Sequence, residues 1–123
     1  MKDDGTPRVL VAESNAIVAL DVCETLREAG YRVAGPLATV AATEALLEHQ
    51  SVDLAVIEPL LKDGDCSRTL QRLRKWGVPY VLHTTCHRDD PIARGFGDAP
   101  CLAKPAIPWD IVSALDEFAI GSM

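Results

Sequence analysis

Val52-Asp53-Leu54-Ala55-Val56-Ile57-Glu58 is the stretch that decides the fold of this chain. Its aliphatic content is nearly continuous, as expected for a central strand covered on both faces of a parallel sheet. Glu58 ends the run with a carboxylate. A charge directly after a buried strand is costly unless a site at the strand's end uses it. Three other strand-like runs end in the same way. Val9-Leu10-Val11-Ala12 runs into Glu13-Ser14, Tyr80-Val81-Leu82-His83 into Thr84-Thr85, and Cys101-Leu102-Ala103 into Lys104-Pro105. In an open parallel sheet such ends meet in one crevice at the topological switch point, where these folds bind ligands. Glu58, Glu13, Ser14, Thr84 and Lys104 therefore form the candidate site.

Outward from this run, strand-like and helical patterns alternate along the whole chain, the signature of βα units and a parallel sheet. Strand one is expected over Arg8 to Ala12. Its helix follows from Asn15 to Ala29, with Ser14 or Asn15 as N-cap and Gly30 as the stop. Strand two spans Tyr31 to Gly35 and is closed by Pro36. Thr39 caps a second helix that reaches Gln50. Glu58 to Asp65 reads as a loop with a turn at Asp63-Gly64, in which Asp63 and Asp65 serve as turn and N-cap residues. A third helix covers Cys66 to Trp76. Arg88 to Gly97 holds one proline and two glycines, enough to limit a fourth helix to a turn or two. Pro108 opens the last helix, whose Ile111, Val112, Leu115, Phe118 and Ala119 make an amphipathic stripe.

The 123 residues are enough for one domain with a single core. Aromatics make up 5%, so aliphatic side chains must fill that core. A net charge of −6 speaks against nucleic acid as a direct partner, because phosphate contact needs clustered Lys and Arg. No apolar stretch approaches the roughly 20 residues of a membrane span. The N-terminus lacks the apolar core of a signal peptide, and the cytoplasm is the expected compartment. Cys23, Cys66, Cys86 and Cys101 show no paired spacing and read as reduced thiols. His83-x-x-Cys86-His87 straddles a strand end and a loop without a fourth ligand, so strand-end roles are favoured there over metal.

Asp53 to Glu58 with Lys62-Asp63-Gly64-Asp65, Ala29 to Pro36, and Lys104-Pro105 together resemble the receiver domains of two-component response regulators. The resemblance covers Arg8 to Phe118. It implies a flavodoxin-like (CheY-like) doubly wound sheet of five parallel strands, order 2-1-3-4-5, with a shortened fourth helix. Residues 1–7 and 120–123 are expected to be tails around a domain at 8–119. The Lys104-Pro105 peptide bond is commonly cis in such domains. Thr84-Thr85-Cys86 departs from the Thr-Gly-Tyr usual in the short-helix variety. A flavodoxin-like small-molecule binder is disfavoured, because Glu13-Ser14-Asn15-Ala16 stands where a Gly-rich phosphate loop would be.

By the same resemblance, Glu58 replaces the aspartate that takes the phosphoryl group, and Ser14 stands in place of a direct Mg²⁺ ligand. Mg²⁺ needs hard oxygen ligands in near-ideal octahedral geometry. With Ser14 neutral, Glu13 and Glu58 are weak Mg²⁺ candidates, and no cofactor is expected. Glu58 is one methylene too long, a displacement of roughly 1.5 Å. It also resembles a built-in imitation of phospho-aspartate. Thr84 would bond a phosphoryl oxygen, Lys104 would pair with Glu58, and Cys101 occupies a switch position where a thiol serves packing. The expected function is an atypical single-domain receiver in phosphorelay signalling, not an enzyme, that acts through protein contacts. The alternative is an active, autophosphorylating receiver. Its partners would be a histidine kinase, a phosphotransfer protein or an output protein. A homodimer through the face bearing Ile92 and Phe96 is a further expectation.

Overall fold

In the computed structural model, residues 5–84, 99–104 and 107–121 are described, with side chains as far as Phe118. The strands are β1 (Arg8–Ala12), β2 (Arg32–Leu37), β3 (Leu54–Ile57), β4 (Leu60–Leu61), β5 (Gly64–Asp65), β6 (Tyr80–Thr84) and β7 (Cys101–Ala103). The helices are α1 (Ala16–Glu28), α2 (Val40–His49), α3 (Ser67–Lys75) and α4 (Pro108–Gly121). Five strands form one parallel sheet in the order β2-β1-β3-β6-β7. This is the expected 2-1-3-4-5 arrangement. The expected short helix at 88–97, the Lys104-Pro105 bond, and the surface bearing Ile92 and Phe96 lie outside the described residues.

Strand pleating divides the core in two. Val9 and Val11 of β1, Leu54 and Val56 of β3, and Val81 of β6 pack with α1 (Val22, Cys23, Leu26) and α4 (Ile111, Val112, Leu115). The alternate residues Leu10, Ala55, Ile57 and Leu82 pack with α2 and α3 through Leu47, Leu70 and Leu73. Each strand serves both layers, which is why the sequence of β3 shows no alternation. All four of its residues are buried.

Three local features differ from the sequence expectation. β2 does not stop at Gly35 but continues through Pro36 to Leu37, and its register with β1 shifts between Leu10 and Ala12. Its place at the sheet edge tolerates a proline without an N–H. Gly35 has φ +118°, and a Cβ there would sit 2.7 Å from the Val11 carbonyl oxygen. The expected loop after Glu58 contains a small antiparallel hairpin, β4 with β5. Asp63, at its tip, caps a helix other than its own. Its carboxylate accepts from Val40 N (2.6 Å) and Ala41 N (3.1 Å) at the start of α2, where Thr39 Oγ1 also accepts from Ala42 N. Asn15 caps α1, accepting from Ile17 N and Val18 N. The Thr6 and Pro7 carbonyls accept from Arg32, and α4 reaches Gly121.

Candidate functional site

The site is built by the same alternation that builds the α1/α4 core. Two residues beyond Val11, Val56, Val81 and Leu102 stand Glu13, Glu58, His83 and Lys104. The apolar layer thus ends in a layer of four ionisable groups at the carboxyl end of the sheet. Backbone bonds lace these ends together. Glu13 N donates to Leu37 O, Glu58 N to Ala12 O (both 2.9 Å), and Lys104 N to Thr84 O (2.8 Å).

Lys104 is the centre of the cluster. Its Nζ donates to Glu13 Oε2 at 2.8 Å and to Glu58 Oε2 at 2.9 Å. The second oxygen of Glu58 accepts from both the Ser14 backbone N–H (2.8 Å) and the Ser14 hydroxyl (2.6 Å). Glu13 Oε2 also accepts from Asn15 N at 3.0 Å. Four of the five sequence-derived residues therefore meet through side chains. Thr84 is buried at the end of β6 and joins them through its carbonyl bond to Lys104. Cys101 is half-buried and packs against the α2/α3 core beside Leu82.

His83 belongs to this cluster, a role the sequence reading did not give it. Its Nδ1 lies 3.7 Å from Glu13 Oε1, and both side chains are 3% exposed. Among the described residues, Glu13 Oε1 and His83 Nε2 are buried polar atoms without a hydrogen-bond partner. The signal was available: His83 stands two residues after Val81, at a position facing the same layer. Cys86 and His87, its companions in the considered metal motif, lie outside the described residues.

The electrostatics follow from burial against pairing. Burial pushes the Glu13 carboxyl above its ordinary range, the Glu58 charge adds to this, and bonds from Lys104 and Asn15 oppose it. Burial also works to raise Glu58, but the bonds from Lys104 and Ser14 outweigh it and hold that carboxyl low. Burial opposes the charge on Lys104, yet its two carboxylate partners leave its affinity for the proton raised. His83 is pushed down to about 4, first by burial and then by the Lys104 charge, so it is neutral at pH 7. With both acids ionised, the cluster carries one net negative charge. Cys66, whose thiol bonds the Glu58 carbonyl at 3.4 Å, is pushed up to about 12, chiefly by burial, and stays an inert thiol.

This donor set does not fit a resident Mg²⁺. Glu13 and Glu58 both face the Lys104 ammonium, which repels a cation, and the remaining oxygen of Glu58 is taken by Ser14. Among the described residues, no three His, Cys, Asp or Glu side chains form a metal-holding group.

The chain is 30% identical over 114 residues to the transcriptional regulatory protein PdtaR of Mycobacterium tuberculosis (strain H37Rv), covering 89% of this chain and 55% of PdtaR. It thus spans about half the length of that curated relative. Among solved structures it is similar to a CheY-like response regulator receiver domain protein from Methanospirillum hungatei JF-1. That match has a TM-score of 0.80 at 20% identity and covers 93% of this chain and 94% of that one. SdrG from Sphingomonas melonis Fr1 matches with a TM-score of 0.76 at 25% identity, over 90% of this chain and 94% of its own. No protein-family model matches the chain. These similarities define the architecture: the chain has the CheY-like fold of the solved response-regulator receiver domain that it matches. No helix among its described residues is long and apolar enough to cross a membrane.

Proposed function

We propose that this chain is a response-regulator receiver domain that does not take up a phosphoryl group in the usual way and signals through protein contacts instead. One observation carries the reading: among the described residues, both carboxylate oxygens of Glu58 are already held by strong donors. Lys104 holds one oxygen and Ser14 the other, with bonds of 2.6–2.9 Å. Such charge-assisted bonds fix the carboxylate and stabilise its ionised form. A phosphodonor would find a carboxylate displaced by one methylene and paired with the lysine that otherwise would steady a phosphoryl oxygen. Misplacement on that scale costs about 10²-fold in reactions that depend on alignment. Glu58 supplies one negative charge where phospho-aspartate supplies roughly two, and Lys104 pairs with it. The pair therefore holds the crevice near one arrangement, and the partners this conformation suits are a histidine kinase, a phosphotransfer protein or an output protein.

The experiment is incubation of the protein with a small phosphodonor and Mg²⁺, read by intact mass. No mass increase is expected. A phosphoryl adduct that maps to Glu58 would replace this reading with that of an active receiver. The specific observation on that rival's side is Glu13 Oε1, a buried acceptor near Glu58 that has no hydrogen-bond partner among the described residues.

A further inference from the structure

Among the described residues, the helices on the two faces of the sheet carry opposite charge. Helix α3 holds Arg68, Arg72, Arg74 and Lys75 and no acid, in a chain of net charge −6. Arg72 pairs with Glu44 and lies over the Trp76 ring at 5.0 Å, and Arg74 Nε donates to Tyr80 Oη at 2.8 Å, so this basic surface is held in place. With Glu44 and Glu48 of α2 counted, the α2/α3 face stays net positive. The opposite face, α1 with α4, presents Asp21, Glu24, Glu28, Asp110, Asp116 and Glu117 against one base, Arg27. Apolar groups sit within each charged field: Trp76 on the basic side, Ile17, Leu20 and Trp109 on the acidic side, all about half exposed or more.

We infer that the α3 face docks onto the α1/α4 face of a second copy of this chain, head to tail. Charge complementarity selects this contact. Pairing α3 with α3, or α1/α4 with α1/α4, opposes like charges, which costs energy and excludes the two-fold symmetric arrangements. Only the heterologous contact joins a basic surface to an acidic one. It leaves one basic and one acidic face unused at the ends, so copies add in series instead of closing as a dimer. The exposed apolar groups supply area at the centre of the contact, and the rim charges supply steering and salt sensitivity. This inference is independent of the crevice chemistry.

Sedimentation velocity of the full chain at rising concentration tests it. At low ionic strength the weight-average mass should grow past that of a dimer, and about 0.5 M salt should return it to the monomer by screening. Arg68→Glu/Lys75→Glu removes the basic face, and Asp21→Lys/Glu24→Lys removes the acidic one. Each variant alone should be monomeric. Mixed, they share one intact face each and should form a one-to-one pair that grows no further, which also shows that both are folded. A monomer at every concentration in low salt overturns the inference, including one that captures a polyanion through α3. So does association that ignores salt, or a mixture that stays monomeric.

Discussion

Lys104 Nζ sits between two carboxylates, 2.8 Å from Glu13 and 2.9 Å from Glu58, at a place where strand ends converge. The lysine is 13% exposed, and the acids are 3% and 16% exposed. None of the three charges is well solvated, so each depends on the others. Removing one is costlier than the worth of the pairing itself, because the remaining charges are left buried without a partner.

Lys104→Met should therefore lower unfolding free energy by about 3–5 kcal/mol. Urea denaturation checks this through the midpoint at unchanged slope. An unaltered midpoint would mean that water, not Lys104, satisfies the two acids.

His83 makes the fold sensitive to mild acid. Its folded pKa lies near 4, below the 6.5 of an exposed histidine. The unfolded chain then binds more protons between these values. Stability present above pH 6.5 is lost as pH falls toward 4, by up to about 3 kcal/mol. Glu58, held low, adds a loss further down as pH falls through its folded value. Glu13, held high, has the opposite sign and gains relative stability on protonation. A His83→Leu variant should flatten the pH dependence of the urea midpoint between 4 and 6.5. An unchanged slope in that variant would assign the acid sensitivity elsewhere.

Gly35→Ala should cost about 2 kcal/mol or more, since the added methyl meets a backbone carbonyl at 2.7 Å and φ is +118°. Thermal unfolding gives the check. A melting temperature within a degree or so of the parent would show that the β1–β2 edge relaxes freely.

The strand ends were legible because a charge after a long aliphatic run contradicts its surroundings, and a site resolves the contradiction. Glu13, Glu58 and Lys104 announce themselves in this way. His83 did not, since it reads as an ordinary strand-end residue, whereas its two-residue spacing from Val81 carries the structural message. The β4–β5 hairpin escaped because two-residue strands are too short to show any period. Asp63 reads as a turn residue and is one, but its capping of α2 joins segments 22 and 23 residues apart, which no local pattern reports. Pro36 looked like a strand end because an edge position is a property of the sheet, not of the sequence.

The most direct measurement is phosphoryl uptake, followed by intact mass with a small phosphodonor and Mg²⁺, across Glu58→Asp, Ser14→Asp, their combination and the parent. Glu58→Asp restores the reach but leaves the cation weakly held. Ser14→Asp adds a ligand but sets a carboxylate against Glu58, whose Oε1 now accepts from Ser14. No uptake is expected of the parent, little of either single variant, and Mg²⁺-dependent uptake of the double variant far exceeding the sum of the singles, as for groups that act as one unit. Uptake on Glu58 in the parent, or none in a double variant that binds Mg²⁺, would contradict this reading of Glu58 and Ser14.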